Sequence, residues 1–149
     1  MLSHALHPKA GKLLGHEVQI PTTWIVIHEG TNPAIRFSVV NAWTAKGYAR
    51  NWRHETLFTE VSLVSRLPEP GDAAIQPPTH AKIISTRTLS SGGTAMTCWE
   101  YIPDYIDWGM WRTFVDCSSS KGDFGATFVG DKDYLPTFYS MLENARQTE

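Results

Sequence analysis

Residues 94–117 read TAMTCWEYIPDYIDWGMWRTFVDC and hold three of the chain's six tryptophans and both of its cysteines. Two β-rich runs, 95–102 and 110–117, flank the turn formers Pro103, Asp104, Asp107 and Gly109. Strand-forming runs around such a centre define a β-hairpin with a long loop. The loop length then decides the register. With an even loop centred between Asp107 and Trp108, cross-strand partners have residue numbers that sum to 215, and Cys98 faces Cys117. Facing residues at a non-hydrogen-bonded position lie about 4.5 Å apart at Cα, within disulfide reach. A three-residue loop with Gly109 at positive φ slips the register by one and sends the two sulfurs to opposite faces. The sequence leaves both registers open. A Cys98–Cys117 bridge closing 20 residues would contribute about 3 kcal/mol, and it would place the chain in an oxidising, extracytoplasmic compartment.

Outward from the hairpin, further β-rich runs mark strands at 17–21, 23–29, 35–43, 60–67, 82–89 and 126–130. In 35–43, Ile35, Phe37 and Val39 alternate with Arg36, Ser38 and Val40, the pattern of a strand with two distinct faces. Residues 68–80 carry four of the nine prolines and form a loop too short to link two domains. The SSGG of 90–93 is a turn into the hairpin. Near the C-terminus Leu135, Phe138, Leu142 and Ala145 recur at the spacing of one helical face. Asp131 or Asp133 caps that helix, Pro136 is tolerated in its first turn, and Arg146 lies near the negative end of its dipole. A second, short helix near 46–58 is drawn from Tyr48, Trp52, Glu55 and Leu57 or Phe58, with an irregular segment as the alternative. Residues 1–15 mix His4, His7, Pro8, Gly11 and Gly15 with few large apolar groups, which predicts a flexible N-terminal arm before a single domain over 16–149. The expected fold is α+β: an antiparallel, meandering sheet of about 6–8 strands with the C-terminal helix packed on one face.

A chain of 149 residues buries about 70% of its unfolded surface and folds without staples. Its formal charge of -2, with no run of like charges, argues against nucleic acid or anionic lipid as a partner. No stretch approaches the ~18 apolar residues of a membrane helix, and no signal-peptide pattern is visible, so a soluble chain without membrane insertion is expected. No Cys or His spacing fits a metal site, and no cofactor motif is present. His28-Glu29 and His54-Glu55 pair acid–base groups, but neighbours on a strand face opposite ways. Ser118–Lys121 matches S-x-x-K, and Asp123-Phe124-Gly125 imitates a kinase signature; both stand without their companions and read as turns. No catalytic constellation emerges.

The strongest recognition candidates are the acidic and aromatic residues around the hairpin loop, Asp104, Tyr105, Asp107, Trp108 and Trp111. Loops on rigid strands carry recognition, and Trp and Tyr give contact area at low entropy cost. The competing reading folds Trp108 back as a plug.

Two terminal stretches, EVQIPTTW at 17–24 and FGATFVGDKDYLPTFYSMLENAR at 124–146, resemble PsbP-like domains. The resemblance rests on the Pro-x-x-Trp segment from Pro21 to Trp24 and on Phe128, Gly130 and Phe138 at the last strand and helix. It implies an α/β/α sandwich and a mostly non-catalytic class of accessory, lipoprotein or binding domains. The leading expectation is therefore a non-enzymatic binding or accessory domain for a protein or small-molecule partner. The alternative is a small NTF2-like cone-fold enzyme using a buried Asp or His for proton transfer. A third reading is a homo-oligomeric structural protein joined through a sheet edge or aromatic patch.

Overall fold

The computed structural model describes residues 9–13, 16–21, 24–29, 34–41, 60–66, 76–104 and 113–147. The strands are β1 Lys9–Leu13, β2 His16–Ile20, β3 Trp24–Glu29, β4 Ala34–Asn41, β5 Glu60–Arg66, β6 Ala81–Ser91, β7 Thr94–Pro103, β8 Thr113–Ser119, β9 Phe124–Gly130 and β10 Arg146–Gln147. A 3-10 turn, Lys132–Tyr134, leads into the helix α1, Leu135–Glu143. The α+β class and the antiparallel pairing are those expected.

The expected single meander is corrected in two ways. The strands divide between a seven-stranded sheet, ordered β3-β4-β5-β9-β8-β7-β6, and a three-stranded sheet, β1-β2-β10. Within the larger sheet, β9 returns to pair with β5, so two meanders are joined edge to edge. The chain between Arg66 and Ala81 is long enough, at ~3.5 Å per residue, to cross the roughly 19 Å of four strand spacings. Both the sheets and their order rest on pairings far apart in sequence, which alternation alone does not specify.

Lys9–Leu13, expected in the loose arm, pairs with β2 from Lys9↔Ile20 to Leu13↔His16. KAGKL carries no strand-like periodicity; its order comes from main-chain bonds to a neighbour. The helix is also shorter than the apolar repeat implies. It ends at Glu143, where the side-chain amide of Asn144 donates to the Ser140 carbonyl at 2.9 Å. Arg146 therefore lies not on the helix but on β10, where it pairs with Glu17. Asp131 caps the 3-10 turn and not α1: its carboxylate accepts from the Asp133 N–H at 2.9 Å, whereas the N-cap of α1 is Tyr134, which makes no side-chain cap hydrogen bond. The 46–58 segment lies outside the described residues.

One face of the large sheet builds the core. Val61 and Leu63 of β5, Phe124, Ala126 and Phe128 of β9, Val115 and Cys117 of β8, and Met96 and Cys98 of β7 alternate inward. Leu135, Phe138, Met141 and Leu142 of α1 pack on them, with Phe128 and Phe138 rings 5.3 Å apart. From the small sheet, Val18 and Ile20 join the same cluster, and His16 stacks on Phe124 at 4.2 Å. The two-residue turn between β6 and β7 uses Gly92 and Gly93 at φ +58° and +81°, the left-handed region that a tight hairpin needs.

Candidate functional site

The hairpin of residues 94–117 is formed by β7 and β8, paired from Met96↔Ser119 to Tyr101↔Phe114. Every pair follows the rule that partners sum to 215, so the even-loop register is the one adopted. Cys98 faces Cys117 with Cα atoms 4.0 Å apart, and the two form a disulfide. Both sulfurs belong to the core face beneath α1.

Of the expected recognition residues, Asp104 is exposed at the end of β7, and its N–H donates to the His80 carbonyl at 3.0 Å. Tyr105, Asp107, Trp108 and Trp111 lie outside the described residues. Beside this end of the hairpin, Ile102 and Ile84 are 48% and 52% exposed, the large apolar side chains most open to water among the described residues. Ile84 is the extra residue of a β-bulge between Ile83 and Ser85, where the β6–β7 register shifts.

The opposite face of the large sheet carries a polar row that sequence reasoning missed. Trp99 pairs with Asp116, Asp116 with Thr127, and Thr127 with Ser62, so four adjacent strands present Trp, Asp, Thr and Ser side by side. Tyr101 donates from its hydroxyl to Asp116 Oδ1 at 3.1 Å. Burial raises the Asp116 pKa above the ordinary carboxylate value, and the Tyr101 hydrogen bond partly opposes that rise. One step along the face, Gly125 stands where a side chain would otherwise fill the surface, between Ser118 and Val64. The result is a pocket of about 240 Å³ bordered by these residues. The hairpin register already implied the Trp99–Asp116 pairing, which was the available signal.

On the core side, the helix edge holds a second polar group. The Arg87 guanidinium lies 4.0 Å from the Tyr139 ring centroid and 3.9 Å from Glu143, while Lys132 reaches Glu100 at 4.0 Å. Burial raises the Tyr139 pKa, Arg87 lowers it, and Glu100 raises it further. The charges there are mutually paired. Ser119 accepts the Phe124 N–H at 3.1 Å and donates to Asp123 at 2.8 Å. The S-x-x-K and Asp-Phe-Gly strings, expected as turns, run from the end of β8 into the start of β9, with Ser118, Phe124 and Gly125 on strands and Ser120 to Asp123 in the turn. Among the described residues, no group of three His, Cys, Asp or Glu could hold a metal ion, and no helix is long and apolar enough to cross a membrane.

Compared by sequence, the chain matches no family model and no curated protein. Among solved structures it is similar to the solution structure of cyanobacterial PsbP (CyanoP) from Synechocystis sp. PCC 6803, with a TM-score of 0.46 and 14% identity over 90% of this chain and 87% of that one.

Proposed function

We propose that the chain is a non-enzymatic binding or accessory domain whose recognition surface is the end of the β7–β8 hairpin. The observation that carries this reading is the exposure of Ile84 and Ile102 at the end of the β6–β7 ladder that leads to Asp104, with Tyr105, Asp107, Trp108 and Trp111 following in the sequence. Apolar side chains open to water gain from being covered by a partner, and Trp and Tyr are the residue types that most often anchor one. The Cys98–Cys117 bridge lies a few rungs away. A staple there pre-organises the strands that support the loop and lowers the ordering cost of binding. The disulfide also fits an oxidising, extracytoplasmic setting. The partner is a protein or small molecule, and a second copy of the chain is a candidate.

The alternative of a proton-transferring cone-fold enzyme draws on Asp116, whose burial raises its pKa. No histidine lines its pocket among the described residues. The test of the leading reading compares ligand capture by the wild-type chain, Ile102→Ser and Trp108→Ala from the same extract. Retention of a partner by the wild type, with a loss of fivefold or more in both variants at unchanged melting temperature, supports it. Equal retention by all three contradicts it.

A further inference from the structure

The pocket beside Asp116 lies on the sheet face opposite the core, and its lining includes none of Ile84, Ile102 and Asp104. Its described lining carries charge of one sign. Asp116 is the one ionisable side chain that lines it, and no Lys, Arg or His does so among the described residues. The carboxylate takes one hydrogen bond, from Tyr101, and forms no ion pair among the described residues. The next rung along the face, Tyr101↔Phe114↔Val129↔Glu60, ends on a second acid. A carboxylate drawn partly out of water, with no counter-ion among the described residues, favours a cation that can replace the lost solvation.

Directly across from Asp116 in the register stands Trp99, at the Cβ spacing of roughly 5 Å that cross-strand neighbours have. Indole beside carboxylate is the pairing that holds ammonium groups, one partner by charge and the other through the ring face. Ser62, Thr127 and Ser118 add hydroxyls that can accept from N–H or C–H groups polarised by a positive nitrogen. Gly125 supplies the space. A Cβ built there meets only the Cys117 carbonyl oxygen, at 3.5 Å, so glycine is not required by backbone crowding and its missing side chain leaves the hollow open. At about 240 Å³ the pocket is smaller than the usual range for drug-sized ligands, which limits the occupant to a few carbons.

We propose that this pocket binds a small organic ammonium ion, with Asp116 as its counter-ion, Trp99 as its aromatic wall and the gap at Gly125 as its seat. The test uses the full chain labelled with 15N and titrated with choline, with its neutral isostere 3,3-dimethyl-1-butanol, and with sodium chloride at equal ionic strength. The expected result is a saturable shift by choline of the amides of Asp116, Cys117, Gly125, Ala126 and Thr127 and of the Trp99 indole, with no saturable shift by the alcohol or the salt. Asp116→Asn is expected to weaken choline about tenfold or more, the loss of a charge-assisted contact. Gly125→Ala keeps ordinary contacts and fills the seat, so it too is expected to weaken choline, and it decides the question if Asp116→Asn does not fold. Equal binding of the neutral alcohol, an unsaturable choline response, or wild-type affinity in Gly125→Ala overturns the proposal.

Discussion

Removal of the Cys98–Cys117 bridge tests how far the hairpin depends on its staple. The bridge joins residues 19 apart in sequence, closing a loop of about 20 residues. Loop-closure entropy assigns such a cross-link about 3 kcal/mol. For a domain of this size each kcal/mol moves the melting temperature by about 2–4 °C, so losing the bridge should lower it by roughly 6–12 °C. Cys98→Ala/Cys117→Ala also removes two buried sulfurs from beneath α1, adding on the order of 1 kcal/mol for the space left behind. Reduced wild-type protein keeps that volume and isolates the cross-link. The assay is thermal unfolding by circular dichroism of the oxidised wild type, the reduced wild type and the double alanine variant. The expected order is oxidised, then reduced, then double alanine, with the largest gap between the first two. An oxidised and a reduced melt within about 2 °C of each other, or two alkylatable thiols in the unfolded, unreduced chain, refutes the reasoning.

Asp116→Asn should be at least as stable as wild type at pH 7. Its folded-state pKa lies above the unfolded value, so the stability it contributes is present below that unfolded value and is lost as pH rises through the folded one; urea unfolding at pH 4 and pH 7 should show the variant gaining on the wild type with rising pH, and a gap that narrows contradicts it. Phe128→Ala removes a fully buried ring packed on Phe138 and should cost about 3–5 kcal/mol, a fall of about 1.5 M or more in the urea midpoint. Gly92→Ala places a side chain at φ +58° with a Cβ 3.2 Å from Gln147, so it should lose roughly 1–2 kcal/mol; Gly93→Ala, strained by its φ of +81° but with open space around it, should lose less in the same urea assay.

The local features of the fold were readable because each rests on short-range chemistry. Alternation located the strands of the large sheet, and loop parity offered the register that brings Cys98 to Cys117. Asp131 was readable as a cap because a side-chain acceptor meets N–H groups with no partner of their own, but it serves the 3-10 turn that precedes α1, a turn the apolar repeat did not reveal. The strand order was not readable. Phe128 and Val61 look alike whether β9 lies beside β5 or beyond it, because a buried face needs only apolar residues, not a named neighbour. β1 was hidden since KAGKL gains its order from main-chain bonds with β2. The Ala145 end of the apolar repeat is buried as expected, yet it lies past the helix because Asn144 turns the chain.

The candidate site divides in the same way. Composition drew attention to the tryptophans and acids of the hairpin loop, whereas the exposure of Ile84 depends on a bulge that no sequence pattern marks. Asp116, between Val115 and Cys117, reads as an ordinary solvent-facing residue of an amphipathic strand. Its neighbours Thr127 and Ser62 come from pairings with distant strands, and only those pairings make it a pocket.

The central claim is that the hairpin end is a surface for a partner and not a plug for the domain's own core. The melting temperature of Trp108→Ala tests it most directly. A recognition residue leaves the melting temperature within about 2 °C of wild type, as surface substitutions do. A plug tryptophan costs about 3–5 kcal/mol when cut to alanine, and a fall of roughly 6–20 °C would contradict the account.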